Sequence, residues 1–184
     1  MEQRKYLTRD EIQRIISVAS GSGHGSRDAC LFRLCFCHGL RVSELCQLTL
    51  SDLDMHQQVI YIHRLKKGLS TTHPLTREDI RMLKRWLTDR AVYRGANEPW
   101  IFLSQKGGAL SRQQIYHLLR KYGEEAGLGI IPHPHMLRHA CGYALADLGV
   151  DTRLIQDYLG HRNIRHTVIY TATNAQRFYG VWQD

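Results

Sequence analysis

At 184 residues the chain suits one domain with a sizeable core, and 43% apolar with 23% charged residues excludes a disordered or membrane-embedded chain. A formal net charge of +8, with eleven histidines able to add to it, favours an acidic partner, nucleic acid foremost. The five cysteines (Cys30, Cys35, Cys37, Cys46 and Cys141) are odd in number and form no C-x-x-C pair, which argues against a disulfide scaffold. With no apolar signal core behind Met1 and no run of membrane-spanning length, a reduced, soluble, cytoplasmic protein is expected.

In chain order, Leu7-Thr8-Arg9-Asp10-Glu11-Ile12 opens the first helix with a hydroxyl N-cap, an acidic partner three places on and a flanking apolar pair. Ile12, Ile15, Ile16 and Ala19 then fall on one buried face. Cys30, Cys35 and Cys37 sit in an apolar run, as small hydrophobes. Gln58–His63 is β-branched and aromatic, Lys66-Lys67-Gly68-Leu69-Ser70 turns, and Thr71–Leu75 runs back, predicting a β-hairpin with two lysines at its turn. The same start signal recurs at Thr76 with Asp79 and at Ser111 with Gln114, ahead of Ile80/Leu83/Leu87 and Ile115/Leu118/Leu119 stripes. Pro132 and Pro134 break up the following segment, and further helices are expected over Met136–Leu148, Thr152–Leu159 and Ile164–Tyr170. Gly149 and Gly160 serve there as stops, Asp151 and Asn163 as caps. The fold class is mainly α with a small antiparallel β-hairpin or sheet, in one domain over 1–184.

The chemistry concentrates in two places late in the chain. His161 precedes Tyr170 by nine residues, shortly after His135-Met136-Leu137-Arg138. Cutting a phosphodiester without a metal needs a nucleophile, an acid for the leaving oxygen and positive charge around the non-bridging oxygens. Arginine supplies that charge as a two-pronged donor. His135 and Arg138, three apart on a helix, share a face and can address one phosphate. Upstream, Arg41 stands among Leu40, Val42 and Leu45, so it is half-buried and needs an anion. That anion is either a phosphate, with Glu44 as orienter, or Glu44 alone. Tyr158 and Tyr179 are rivals to Tyr170; Tyr158 falls at core spacing and Tyr179 beside Phe178 and Trp182. His133, His135 and His139 invite a metal, but no carboxylate or cysteine is spaced to complete a tetrahedral shell. No phosphate-binding or dinucleotide glycine motif is present, so no nucleotide cofactor is expected.

Arg41 within Gly-Leu-Arg-x-Ser-Glu-Leu, His135-x-x-Arg138, Leu159-Gly160-His161 and Tyr170 resemble, in order and spacing, the signature of tyrosine site-specific recombinases, the integrase class. The stretches His-Pro-His-Met-Leu-Arg-His and Asp151 to Val168 resemble the short enterobacterial fimbrial phase-switch invertases, which invert a promoter-bearing segment. The resemblance implies a tyrosine recombinase catalytic domain over nearly the whole chain, without the N-terminal core-binding domain of most of the family. It implies that Tyr170 attacks the scissile phosphate to give a 3′-phosphotyrosine, without metal, ATP or other cofactor. Arg41 and Arg138 would stabilise the transition state, His135 move the tyrosine proton and His161 bond a non-bridging oxygen. Glu44 would frame Arg41, and Lys67, with Lys66 as the alternative, would protonate the leaving 5′-oxygen. The implied partners are double-stranded DNA with inverted repeats, three further copies in a synapsed homotetramer, and DNA-bending accessory proteins. No membrane is implied; the protein would be nucleoid-associated. Phe178, Tyr179, Val181 and Trp182 would pack on an adjacent protomer or on their own domain. Two other activities fit the same residues: a type IB-like topoisomerase and a catalytically silent DNA-binding regulator.

Overall fold

Thr8, Thr76 and Ser111 each accept the backbone N–H three residues on, while Glu11, Asp79 and Gln114 accept the cap's own N–H at 2.8 Å. These reciprocal bonds satisfy donors that a helix start leaves orphaned, and they open α1 (Arg9–Ser20), α4 (Arg77–Arg90) and α5 (Arg112–Glu125) where the sequence places them. The computed structural model describes residues 4–65, 67–172, 174–179 and 181, with backbone alone for 176 and 177.

Between α1 and α4 lie α2 (Gly25–Cys37), α3 (Val42–Cys46), a 3₁₀ turn (Leu50–Asp52) and three strands, β1 (Leu53–Asp54), β2 (Val59–Ile62) and β3 (Thr71–Pro74). The strands pair antiparallel in the order β1-β2-β3, with Ile62 opposite Thr71 and Leu53 opposite Ile60. The expected hairpin is therefore the larger part of a three-stranded sheet. On β2, Ile60 and Ile62 face the core and Tyr61 faces solvent.

The apolar run at Cys30 is the middle of α2, which buries Ala29, Cys30, Leu31, Phe32, Leu34 and Cys35. A helix covered on nearly all sides has no polar face and hence no readable period. Two charged residues at its start, Arg27 and Asp28, are also buried; they pair at 2.7 Å, and Tyr122 donates to Asp28 at 2.6 Å. The fully buried stripe of α4 is Asp79, Leu83, Trp86 and Arg90; of the expected Ile80, Leu83 and Leu87, Leu83 is at its centre, Ile80 packs half-buried against the core and Leu87 is half-buried. Polar contacts set this stripe: Asp79 pairs with Arg33, and Trp86 and Arg90 donate to the carbonyls of the following loop.

The last part of the fold is α6 (Pro134–Asp147), α7 (Thr152–Leu159) and α8 (Arg165–Thr171). Pro134 does not break α6 but begins it, two residues ahead of the expected start, because a first-turn residue needs no backbone donor. Asp151 accepts from Arg153 and Leu154 to cap α7, and Gly160, with φ of 69°, closes it. Asn163 acts one step earlier than expected, accepting from Arg165 at 2.9 Å, while α8 itself begins after Ile164. Cys141, Ala146, Ile155, Leu159 and Tyr170 form a smaller apolar cluster beside the main core.

All five cysteines are free thiols. Phe178, Tyr179 and Val181 are exposed; Trp182 lies outside the described residues. Among the described residues, no helix is long and apolar enough to cross a membrane.

Candidate active site

Glu44 makes α3 possible and loads it with charge. Its Oε2 accepts the Arg41 backbone N–H at 2.8 Å, which fixes the helix start, and its Oε1 accepts from the Arg41 guanidinium at 2.7 Å. The same carboxylate receives Arg64 at 2.9 Å and the Leu65 N–H at 3.2 Å, and Arg138 stands 4.0 Å away. Burial alone would push the Glu44 carboxyl up, but Arg64, the Arg41 bonds and Arg138 together hold it below the usual carboxylate range. Three guanidiniums thus surround one carboxylate, and the unbalanced positive charge calls for an anion. Arg41 is the least covered of the three, its side chain 21% exposed, against 0% for Arg64 and 2% for Arg138.

Arg138 does not share an open face with His135. It lies buried in α6 and donates to the carbonyls of Gly39 and Leu159, tying the turn before Arg41 to the end of α7. Burial, with Arg41 and Arg64 nearby, lowers it to about 10, so it stays charged at neutral pH. His161, two residues after Leu159, is buried and pairs its Nδ1 with the Thr167 hydroxyl at 2.8 Å. Burial and the adjacent Arg138 and Arg41 lower its pKa to about 3, so the imidazole is neutral. A Thr167 hydroxyl that donates to Nδ1 leaves the ring proton on Nε2, a neutral hydrogen-bond donor beside two cations.

Tyr170, on α8, is only 2% exposed. Its ring lies on α6 where Gly142 leaves room: a Cβ there would stand 2.5 Å from Tyr170 Cε2. Tyr143 meets the ring edge-on at 5.0 Å, and the Tyr170 hydroxyl pairs with His139 Nδ1 at 2.9 Å. Burial raises the phenol to about 12 against the opposing pull of Arg138. Burial, His135 and Arg138 lower His139 to about 4. With the His139 ring proton on Nε2, the protonated phenol donates to the bare Nδ1. His135 is exposed on the first turn of α6 and meets His139 edge-on at 4.5 Å.

Arg41, Glu44, Arg138, His161 and Tyr170 are therefore brought into one electrostatic neighbourhood, and His135 reaches it through His139. Lys67 is exposed at the hairpin turn with φ of 60°, a left-handed conformation unusual for a side-chain-bearing residue. The turn is fastened to the His161 side, since Leu69 donates to the Gly160 carbonyl at 3.2 Å. Lys66 falls outside the described residues. Sequence reasoning missed three participants: Arg64, Thr167, and His139 in its contact with tyrosine. The order Arg64-Leu65-Lys66-Lys67 held a signal for the first, a cation directly behind an apolar strand. Tyr158 is half-buried, its hydroxyl donating to the Cys37 carbonyl, and Tyr179 is exposed. Among the described residues no group of three histidine, cysteine or carboxylate side chains could hold a metal ion.

The pattern of the phage integrase family matches residues 5–177. The chain is 57% identical over 181 residues to the type 1 fimbriae regulatory protein FimB of Escherichia coli K12, covering 98% of this chain and 90% of FimB. It is 52% identical to FimE of the same strain, covering 100% of this chain and 93% of FimE. Among solved structures, XerA recombinase superposes with a TM-score of 0.83 at 28% identity over 97% of this chain. XerH site-specific recombinase, bound to its difH substrate before cleavage, superposes with a TM-score of 0.81 at 25% identity over all of it. The chain spans 64% and 56% of those two solved chains. On the family pattern and the identity to FimB and FimE, the chain belongs to the phage integrase family, and it has the fold of a tyrosine recombinase catalytic domain.

Proposed function

We propose that this protein is a site-specific recombinase that inverts a promoter-bearing DNA segment between inverted repeats and so switches fimbrial expression. The observation that carries the chemistry is the placing of Arg41 and Arg138, from distant parts of the chain, within electrostatic reach of both the Tyr170 phenol and the His161 imidazole. The fimbrial target is supported by the identity to FimB and FimE, both type 1 fimbriae regulatory proteins.

In this mechanism the scissile phosphate enters beside Arg41, the most open of the three arginines. Arg41 and Arg138 take up the charge that develops on the phosphorane, and neutral His161 donates to a non-bridging oxygen. Tyr170 leaves the Gly142 groove and attacks phosphorus. Its Oη–P bond forms while the P–O5′ bond breaks, and the phenolic proton leaves by way of His135. A hairpin lysine, Lys67 or Lys66, gives a proton to the 5′-oxygen. The phosphotyrosine keeps the bond energy, so resealing by a new 5′-hydroxyl needs no ATP. The residues form one catalytic domain acting in the cytoplasm at the nucleoid, as a homotetramer on two synapsed repeats, with accessory proteins bending the DNA. The exposed Phe178, Tyr179 and Val181 support assembly, because an apolar tail of this kind is stabilised by cover from another copy.

The test uses a nicked suicide duplex copied from the inverted repeat bordering the fimbrial promoter segment in the source genome. The wild type is expected to form a covalent adduct on a denaturing gel, and Tyr170→Phe none while still binding. Lys66→Ala and Lys67→Ala, assayed with a 5′-thio leaving group that needs no acid, identify the lysine by which variant regains cleavage. DNA relaxation by a monomer without strand exchange would mark a type IB-like topoisomerase. Unchanged output in Tyr170→Phe cells would mark a silent regulator.

A further inference from the structure

Arg64 leaves β2 just ahead of the hairpin turn, and its side chain is completely buried. Its Nη1 donates to Glu44 Oε2 at 2.9 Å and to the Gly39 carbonyl at 3.1 Å. Its Nη2 donates to the carbonyls of His38 at 2.9 Å and Tyr158 at 2.8 Å. Each acceptor belongs to a segment that carries a site residue. Glu44 holds Arg41. The Gly39 carbonyl also receives Arg138, so two guanidiniums meet on one oxygen. Tyr158 lies at the end of α7, leading through Gly160 into His161. Arg64 itself leads into the lysine turn.

The backbone around Arg64 is moulded to it. A Cβ on Gly160 would stand 2.7 Å from Arg64 Cγ, and one on Gly68 would stand 2.8 Å from Arg64 Cβ. The hairpin loop and the His161 loop therefore both approach closely because this side chain lies between glycines. Arg90 provides the contrast. It too is buried and donates to the carbonyls of Ala96, Glu98, Trp100 and Ile101, but these all belong to one local loop away from the site.

We propose that Arg64 is a positioning residue for DNA cleavage, holding Arg41, Arg138, His161 and the hairpin lysine in register without touching the phosphate. This rests on the recombinase reading above. A planar fork is needed, because two nitrogens must each serve two acceptors that lie on different segments. A lysine ammonium keeps the charge but offers three donors from one point and loses that geometry.

The full chain carrying Arg64→Lys is compared with Arg90→Lys and wild type on the same nicked duplex, with single-turnover cleavage normalised to DNA-bound protein. Arg64→Lys is expected to bind within about threefold of wild type and to cleave about a hundredfold more slowly, the scale of a displacement near 1 Å in an active site. Arg90→Lys is expected to lose comparable melting temperature and to cleave at the wild-type rate per bound molecule. Arg64→Gln, neutral and ending two bonds short of the Nη atoms that make the contacts, is expected to show the same selective loss. Cleavage by Arg64→Lys at the wild-type rate would overturn the proposal. So would parallel loss in Arg64→Lys and Arg90→Lys, or failure of both Arg64 variants to fold, which would make Arg64 a residue of the fold. Absence of an adduct in the wild type would instead overturn the recombinase reading.

Discussion

Tyr170 and Gly142 are coupled residue to residue. An alanine in a helix interior ordinarily stabilises relative to glycine by about 0.5–1 kcal/mol. At position 142, however, the three nearest atoms to an added Cβ all belong to the Tyr170 ring, at 2.5–2.7 Å. Gly142→Ala is therefore expected to lower stability by about 1–3 kcal/mol in denaturant titration, because overpacking outweighs propensity. A stabilised variant would mean the ring is not seated there. Residues of this kind divide sharply in how far they could be read beforehand. Arg41, His135, Arg138, His161 and Tyr170 stand in recognisable local strings. Arg64, Thr167 and the His139 contact depend on segments distant in the chain meeting, and spacing carries no trace of that.

Helix starts were the most legible elements, because a cap and its partner three residues on form a local device that tertiary packing seldom overrides. Asp151 is the simplest case to test. It accepts two backbone N–H groups and begins the helix that ends at Gly160, so Asp151→Ala is expected to cost about 1 kcal/mol in a thermal or chemical melt. Elements set by burial were less legible. α2 is covered on too many sides to show a period, and the face of α4 takes in Asp79, Trp86 and Arg90 beside Leu83, leaving Ile80 half-buried at its edge. β1, two residues long, exists only because β2 offers it an edge. Pro134 illustrates the remaining difficulty, since the same residue that ends a helix also begins one well.

For the molecule as a whole, the most general consequence of this packing is a dependence on pH. Burial, with His38 and Arg64 nearby, lowers His73 to about 3, and burial, with Arg138 and Arg41, lowers His161 to the same value. His73 also stands next to His38, which in turn faces the Asp79 carboxylate at 3.7 Å. An unfolded chain takes up protons on these rings below about pH 6.5, whereas the folded chain does not. Stability is therefore fully present above that pH and falls as pH drops towards 3, by about 1.4 kcal/mol per unit for each ring. From these two rings unfolding free energy at pH 5 is expected to lie on the order of 4 kcal/mol below that at pH 7, and His139, lowered to about 4, adds a share in the same direction. A flat profile between those values would refute the neutral state of the two rings. The basic surface, net +8, remains positively charged throughout, so affinity for an acidic partner persists while the fold weakens. On the recombinase reading, the covered Tyr170 phenol has a consequence for the genome that hosts it. There a solitary copy would keep the phenolic oxygen sheathed, strand scission would wait on whatever lifts the ring out of the Gly142 groove, and stray nicking would be limited by the cover itself.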